Sequence, residues 1–180
     1  MTDSTGVLHS IESEFRRYER LAEGAIAQLD EADFSRPAGA GNSVAILVWH
    51  ISGNLKSRFT DFLTADGEKP WRARDEEFVS RSVTRAQLLE KWEEGWTVLF
   101  AALGQLNAGD LMREVTIRSQ PLAVHEALER SLAHVAYHVG QIVYIAKSLR
   151  GDQWKYMSIP PGKSEEFNKA LKSGGPLRRG

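Results

Sequence analysis

Hydrophobic residues recur at helical spacing in the first third of the chain. Within residues 8–29, Leu, Ile, Phe and Tyr side chains alternate with charged ones every three to five positions, as is typical of an amphipathic helix. Residues 44–64 repeat this pattern directly after Asn42 and Ser43, which have N-cap chemistry. Two segments rich in turn residues, DEADFSRPAGAGN and ADGEKP, end the two patterns. The pattern therefore predicts two helices here.

Two further helices are predicted in the second half. Thr84 and Gln87 form a capping-box pattern before apolar positions that continue to Leu103, and Gly104 to Asp110 break this third helix. The fourth helix is predicted over 122–149, with Pro121 at its opening. Between them, MREVTIRSQ alternates with period two, which favours a short extended segment.

Four amphipathic helices with almost no strand signal predict an all-α fold, namely a four-helix bundle. The connections between the helices are long, which favours at least one crossover. Beyond Gly151, several aromatic and aliphatic side chains predict a C-terminal tail that packs back onto the bundle. We therefore predict a single domain over 1–170 and a disordered tail over 171–180.

Composition and charge exclude several classes of function. The 180 residues include 23 basic and 24 acidic side chains, and this balance gives no reason to expect nucleic-acid or DNA binding. There is no apolar run of about 18 residues or more and no signal-peptide pattern, so we expect a cytoplasmic protein without a membrane partner. Cysteine is absent, so any thiol chemistry would need an external thiol.

The histidines are the candidates for chemistry. His134 and His138 lie four residues apart beside the apolar stripe of the fourth helix, a spacing that lets two imidazoles bind one ion. The pair alone is more often explained by packed, hydrogen-bonded side chains. The metalloprotease motif H-E-x-x-H is absent, because HVAYH lacks its general-base glutamate. His50, on the flank of the second helix, would complete a catalytic-type ligand set with an open position. His9 and His125 are expected to face solvent.

Other polar residues are secondary candidates. Asn54, Arg58 and Gln141 either orient a substrate or have structural roles, as donors to the imidazoles or, for Arg58, in an ion pair. The charged stretch EKPWRARDEEF predicts a solvated loop, with a cover over the site or a dimer contact as the alternative. Three tryptophans are predicted to pack in the core or a dimer interface: Trp49, Trp92 and Trp96.

Three blocks in order resemble a known family. They are NSVAILVWHISGNLKSRFTDFLTADGEKPWRARDEEF, VTIRSQPLAVHEALERSLAHVAYHVGQIVYIAKSLRG and MSIPPGKSEEFN. The chain resembles, over roughly residues 5–168, the DinB-like or YfiT-like metalloenzyme superfamily, and most closely its DUF1572 branch. The resemblance implies a four-helix bundle of crossover topology. It also implies a divalent-metal site of His50, His134 and His138.

Function is implied less sharply by the resemblance. Characterised relatives are metal-dependent enzymes of mycothiol, bacillithiol or glutathione, whereas this branch has no assigned reaction. The implied activity is thiol S-transfer to an electrophilic small molecule, with Zn, Ni, Fe or Mn lowering the thiol pKa. The alternative is a non-enzymatic metal-binding or stress-response protein that acts through dimerisation. An exchangeable ligand position would favour the enzyme, and a homodimer is expected in both cases.

Overall fold

The fold is mostly helical, as predicted. A computed structural model describes residues 4–39 and 41–173, and within them the chain forms five α-helices and one antiparallel hairpin. The elements are α1 (Ser4–Ile26), α2 (Val44–Phe59), α3 (Arg85–Leu103), β1 (Glu114–Ile117), β2 (Gln120–Ala123), α4 (Val124–Arg150) and α5 (Ser164–Lys172). None of the described helices combines the length and the apolar composition that a membrane crossing requires.

Local capping signals fix the starts of α2 and α3. The Ser43 hydroxyl accepts a hydrogen bond from the Ile46 backbone N–H, and Thr84 and Gln87 form the predicted capping box. Helix α2 ends at Phe59, five residues before the predicted end, because Thr60 is extended and Asp61 has a φ of 49°. The sequence pattern missed this early end because the apolar spacing continues through the following turn.

The long helices share one hydrophobic core. Helix α2 packs mainly against α3, and α1 packs mainly against α4. Gly95 permits the close approach of α3 to α2, since a Cβ at this position would lie 2.7 Å from Ser52 Cα. Of the three predicted core tryptophans, Trp92 and Trp96 are buried, and Trp49 is partly buried against the core.

The extended segment before α4 is a hairpin, and Pro121 lies in β2 rather than at the start of a helix. Arg118 and Ser119 form the turn with φ values of 54° and 59°, which suits a type I′ hairpin. The Asp66 carboxylate accepts hydrogen bonds from both of their backbone N–H groups. The hairpin is therefore held against the loop that follows α2, next to the candidate site.

The C-terminal segment packs back onto the helices, as predicted. Trp154 and Met157 contact the core, and Gln28 exchanges two hydrogen bonds with the Lys155 backbone. Helix α5 was not predicted, and none of its residues is buried. Of the tail predicted to be disordered, 171–172 belong to α5 and 174–180 lie outside the described residues.

Glu19 on α1 makes the stability depend on pH. Partial burial, with the nearby carboxylates of Glu23 and Glu93, raises its pKa from 4.5 to about 7. Between pH 4.5 and about 7 the Glu19 carboxyl is ionised in the unfolded chain but protonated in the folded one. The free energy of unfolding therefore falls as pH rises through this range. We expect Glu19→Gln to abolish this fall, about 1 kcal/mol after allowance for solvent screening, in urea denaturation at pH 4.5 and 8. An unchanged pH profile would contradict this assignment.

Candidate metal centre

Two helices bring three imidazoles to one point. His50 lies on α2, and His134 and His138 lie one turn apart on α4. Their ring centroids are 5.1 Å (His50 to His134), 4.7 Å (His50 to His138) and 4.6 Å (His134 to His138) apart. One ligand nitrogen from each ring lies within 4.8 Å of the other two. These are the three histidines that the sequence singled out.

The separation of the nitrogens fits ligands of one ion. His50 Nε2 lies 3.1 Å from His134 Nε2. Two nitrogens about 2.1 Å from a common ion would lie about 3.0 Å apart at a right angle and about 3.4 Å apart at the tetrahedral angle. His134 Nδ1 is buried without a hydrogen-bond partner among the described residues. Burial of an unpartnered Nδ1 lowers the stability that a packed histidine would contribute. The Nε2 of His134, in contrast, is well placed as a metal ligand.

Hydrogen bonds at the outer nitrogens set the tautomers of the other two rings. His50 Nδ1 lies 2.8 Å from Glu77 Oε2, and His138 Nδ1 lies 2.9 Å from Gln141 Oε1. A carboxylate and an amide oxygen only accept, so each Nδ1 carries the proton and each Nε2 presents a lone pair. The lone pairs of His50 Nε2 and His138 Nε2 therefore fit a divalent cation, whereas in the metal-free protein His134 Nε2–H can donate to His50 Nε2 across 3.1 Å.

Two of the three imidazoles, those of His134 and His138, are neutral at physiological pH, as metal ligands must be. Burial, together with the imidazoles of His138 and His50, lowers the pKa of His134 from 6.5 to about 3. Burial also lowers the pKa of His138, although the hydrogen bond to Gln141 acts in the opposite direction. Protons therefore compete weakly with a metal ion at these two rings.

Glu77 is a site residue that the sequence reasoning missed. Its carboxylate accepts from His50 and also receives two hydrogen bonds from the Arg72 guanidinium, at 2.8 and 2.9 Å. The side chains of Arg72 and Glu77 are only 2% and 8% exposed, so the prediction of a solvated loop was wrong for this part of EKPWRARDEEF. Burial raises the pKa of Glu77, but the hydrogen bonds from His50 and Arg72 outweigh it, and the pKa lies below its ordinary value.

Helix α2 makes room for this carboxylate at Gly53. A Cβ at Gly53 would overlap Glu77 Oε1. Gly53 follows His50 by three positions, so both face the same side of α2. A glycine one turn after His50 is the sequence signal that could have indicated that another side chain packs against α2 at this point.

A pocket of about 390 Å³ opens beside the imidazoles. Asn54 and Arg58, two of the predicted substrate-binding residues, line it together with all three histidines. Arg58 also bonds to the Gly67 carbonyl and pairs with Glu68, as the ion-pair alternative anticipated. Gln141 does not line this pocket. Its Oε1 accepts a hydrogen bond from His138 Nδ1, so the alternative that Gln141 donates to an imidazole was wrong.

The remaining histidines lie away from this cluster. His9 is exposed, as predicted. His125 is half-buried, and its Nδ1 lies 3.1 Å from the Leu111 carbonyl oxygen, so the prediction of a solvent-facing side chain was wrong. The error arose because this carbonyl belongs to the turn at 108–112, which the helical pattern does not reveal.

Gln141→Ala is expected to weaken metal binding without removing a ligand. Loss of the acceptor at Oε1 frees the His138 ring to rotate and to change tautomer, so zinc affinity should fall about tenfold. Competition titration against a chromophoric chelator measures the change. Gln105→Ala removes an exposed amide elsewhere and should leave the affinity unchanged; equal affinities of the two variants would contradict the role of Gln141.

Comparison with known proteins identifies the family. A family model described as "Protein of unknown function (DUF1572)" matches residues 3–163, a range that contains the histidine cluster and Glu77. No curated protein and no solved structure gives a significant match to the chain. Because the match covers most of the sequence, the chain belongs to the DUF1572 family.

Proposed function

We propose that this protein is a metal-dependent enzyme with a four-helix bundle of the DinB/YfiT type. One divalent ion, either Zn, Ni, Fe or Mn, would be held by His50, His134 and His138. The enzyme would act on a low-molecular-weight thiol. The observation that carries the proposal is the convergence of three imidazoles beside a pocket of about 390 Å³. A bound ion of this kind supplies Lewis-acid chemistry that lowers the pKa of a thiol or a water molecule.

The polar residues around the imidazoles have distinct tasks in this proposal. Glu77 and Gln141 keep the Nδ1 protons of His50 and His138 in place, so that the ε nitrogens remain available as ligands. Arg72 holds the Glu77 carboxylate ionised inside the protein. Asn54 and Arg58 lie in the pocket wall, where they would orient the substrate.

The pocket favours an enzyme over a non-enzymatic metal-binding protein. A purely structural ion is usually enclosed by four protein ligands, whereas a catalytic one keeps a position open. Within the described residues the cluster consists of three histidines, and the rest of the pocket is large enough for a small organic molecule. The absence of cysteine is consistent with a thiol that comes from outside the chain.

Thiol transfer can be tested by a fluorescence screen. Protein loaded separately with each of the four metals is mixed with monochlorobimane and glutathione, bacillithiol or mycothiol. We expect turnover with at least one thiol, its loss in His50→Ala, and its retention in His9→Ala, which changes an exposed histidine. Absence of turnover with every thiol and metal would refute the transferase proposal.

The homodimer remains a prediction, and sedimentation equilibrium measures it directly. A species of twice the 20.1 kDa chain mass is expected. A monomer over the whole micromolar range would contradict it and would leave the metal site, which one chain completes, unaffected.

A further inference from the structure

Arginine side chains surround the histidine pocket. Five arginines contribute to its wall, and none of its lining residues within the described part of the chain is acidic. They come from different segments, namely α2, the loop after it, the hairpin turn and α4: Arg58, Arg72, Arg74, Arg118 and Arg130. A chain with a formal net charge of -1 thus concentrates positive charge around one cavity.

Two of these arginines are engaged inside the protein. Arg72 is paired with Glu77, and Arg58 is paired with Glu68 and bonded to the Gly67 carbonyl. Their side chains are 2% and 12% exposed, so they contribute to the structure of the wall.

The other three arginines are exposed, so a ligand can reach them. Arg118 shares Glu68 with Arg58 and is 55% exposed, and Arg74 is 48% exposed beside Asp75. Arg130 on α4 is exposed, and no carboxylate of the described residues pairs with it. The carboxylates bonded to these arginines are fewer than the arginines themselves, so the pocket retains an excess of positive charge.

Apolar side chains form the other part of the wall. Phe59, Phe62 and Ile117 line the pocket and are at most 7% exposed. The cavity volume lies near the lower end of the range for small-molecule sites, about 300 to 1,000 Å³. A ligand here would place a compact apolar body against these rings and a charged end against the guanidinium groups.

We infer that the pocket binds a small organic anion, with a carboxylate or phosphate group held at the mouth by Arg118 and Arg130. Guanidinium groups match the planar pairs of oxygens of both groups through parallel N–H···O hydrogen bonds. The inference rests on the proposed function in one respect, since the anion would be part of the thiol or electrophile that reaches the histidines. The inference thus restricts the substrates of the proposed enzyme to molecules that carry an anionic group.

The test compares two anionic ligands with a neutral one, of which the carboxylate and the amide share the same skeleton. Binding of 3-(4-fluorophenyl)propionate, 4-fluorophenyl phosphate and the neutral 3-(4-fluorophenyl)propanamide to the full chain is followed by ¹⁹F NMR after removal of metal with a chelator. We expect at least one anion to bind at least about fivefold more tightly than the amide. Arg130→Gln and Arg118→Gln should each reduce this preference, whereas Arg20→Gln, an exposed arginine on α1, should preserve it.

The outcome is independent of the metal. Equal binding of the anions and the amide, or an equal effect of Arg20→Gln and Arg130→Gln, would overturn the inference. Because metal is removed, such a result would leave the metal proposal intact. Conversely, a protein that fails to load metal but still selects the anion through Arg130 would refute the proposed enzyme and support the anion site.

Discussion

Replacement of Glu77 by alanine is expected to lower the free energy of unfolding by about 3 kcal/mol and zinc affinity by about 10- to 100-fold. The stability loss arises because Arg72, whose side chain is 2% exposed, would remain buried without its carboxylate partner. The affinity loss arises because His50 Nδ1 would lose its acceptor. Urea denaturation and zinc competition titration measure the two effects separately.

Two further variants test whether these losses come from the position of the Glu77 carboxylate rather than from the loss of a negative charge. Glu76→Ala removes the neighbouring exposed carboxylate and should change neither quantity. Gly53→Ala keeps every charge but displaces the Glu77 carboxylate from α2, so it should also lower zinc affinity. If Glu77→Ala behaves like Glu76→Ala, Glu77 does not position His50.

His134→Leu is expected to weaken metal binding strongly while leaving the stability of the metal-free protein nearly unchanged. Without metal, the free energy of unfolding should change by less than about 1 kcal/mol, because the variant removes a Nδ1 atom that is buried without a partner in the described structure but also removes the 3.1 Å hydrogen bond between His134 Nε2 and His50 Nε2. Zinc affinity should fall at least about 100-fold, since a ligand is lost. Thermal denaturation with and without zinc shows both effects: zinc should raise the Tm of the wild type but not of the variant.

His125→Leu provides the matched comparison for this variant. His125 is also half-buried on α4, but its Nδ1 has the Leu111 carbonyl as a partner. Its replacement should therefore lower stability and leave the zinc-induced rise in Tm intact. A loss of metal-free stability in His134→Leu equal to that in His125→Leu would show that His134 is an ordinary packed histidine.

The helices were predictable because their signals are local. Ser43 and Thr84 cap α2 and α3 through bonds to residues only three positions away, and apolar spacing marks the buried faces. The position of Pro121 was not predictable in the same way. The hairpin that contains it depends on Asp66, which binds its turn from more than 50 residues away in the chain.

The histidines of the candidate site were predictable because helical periodicity determines which face of a helix they share. Spacing on one helix places His134 beside His138, and His50 followed from its position on the flank of α2. Glu77 was missed because charges of alternating sign are typical of solvated loops, and its burial depends on Arg72 and on the space at Gly53. Long-range pairing of this kind leaves little trace in local sequence.

Metal stoichiometry tests the central claim most directly. Untagged protein is reconstituted in turn with Zn, Ni, Fe and Mn, freed of excess ion and analysed for metal, together with His138→Ala and His125→Ala. The three-histidine site predicts about one ion per chain in the wild type and in His125→Ala with at least one metal, and a large loss in His138→Ala. A wild type that retains none of the four metals, or a His138→Ala variant that retains as much as the wild type, would contradict it.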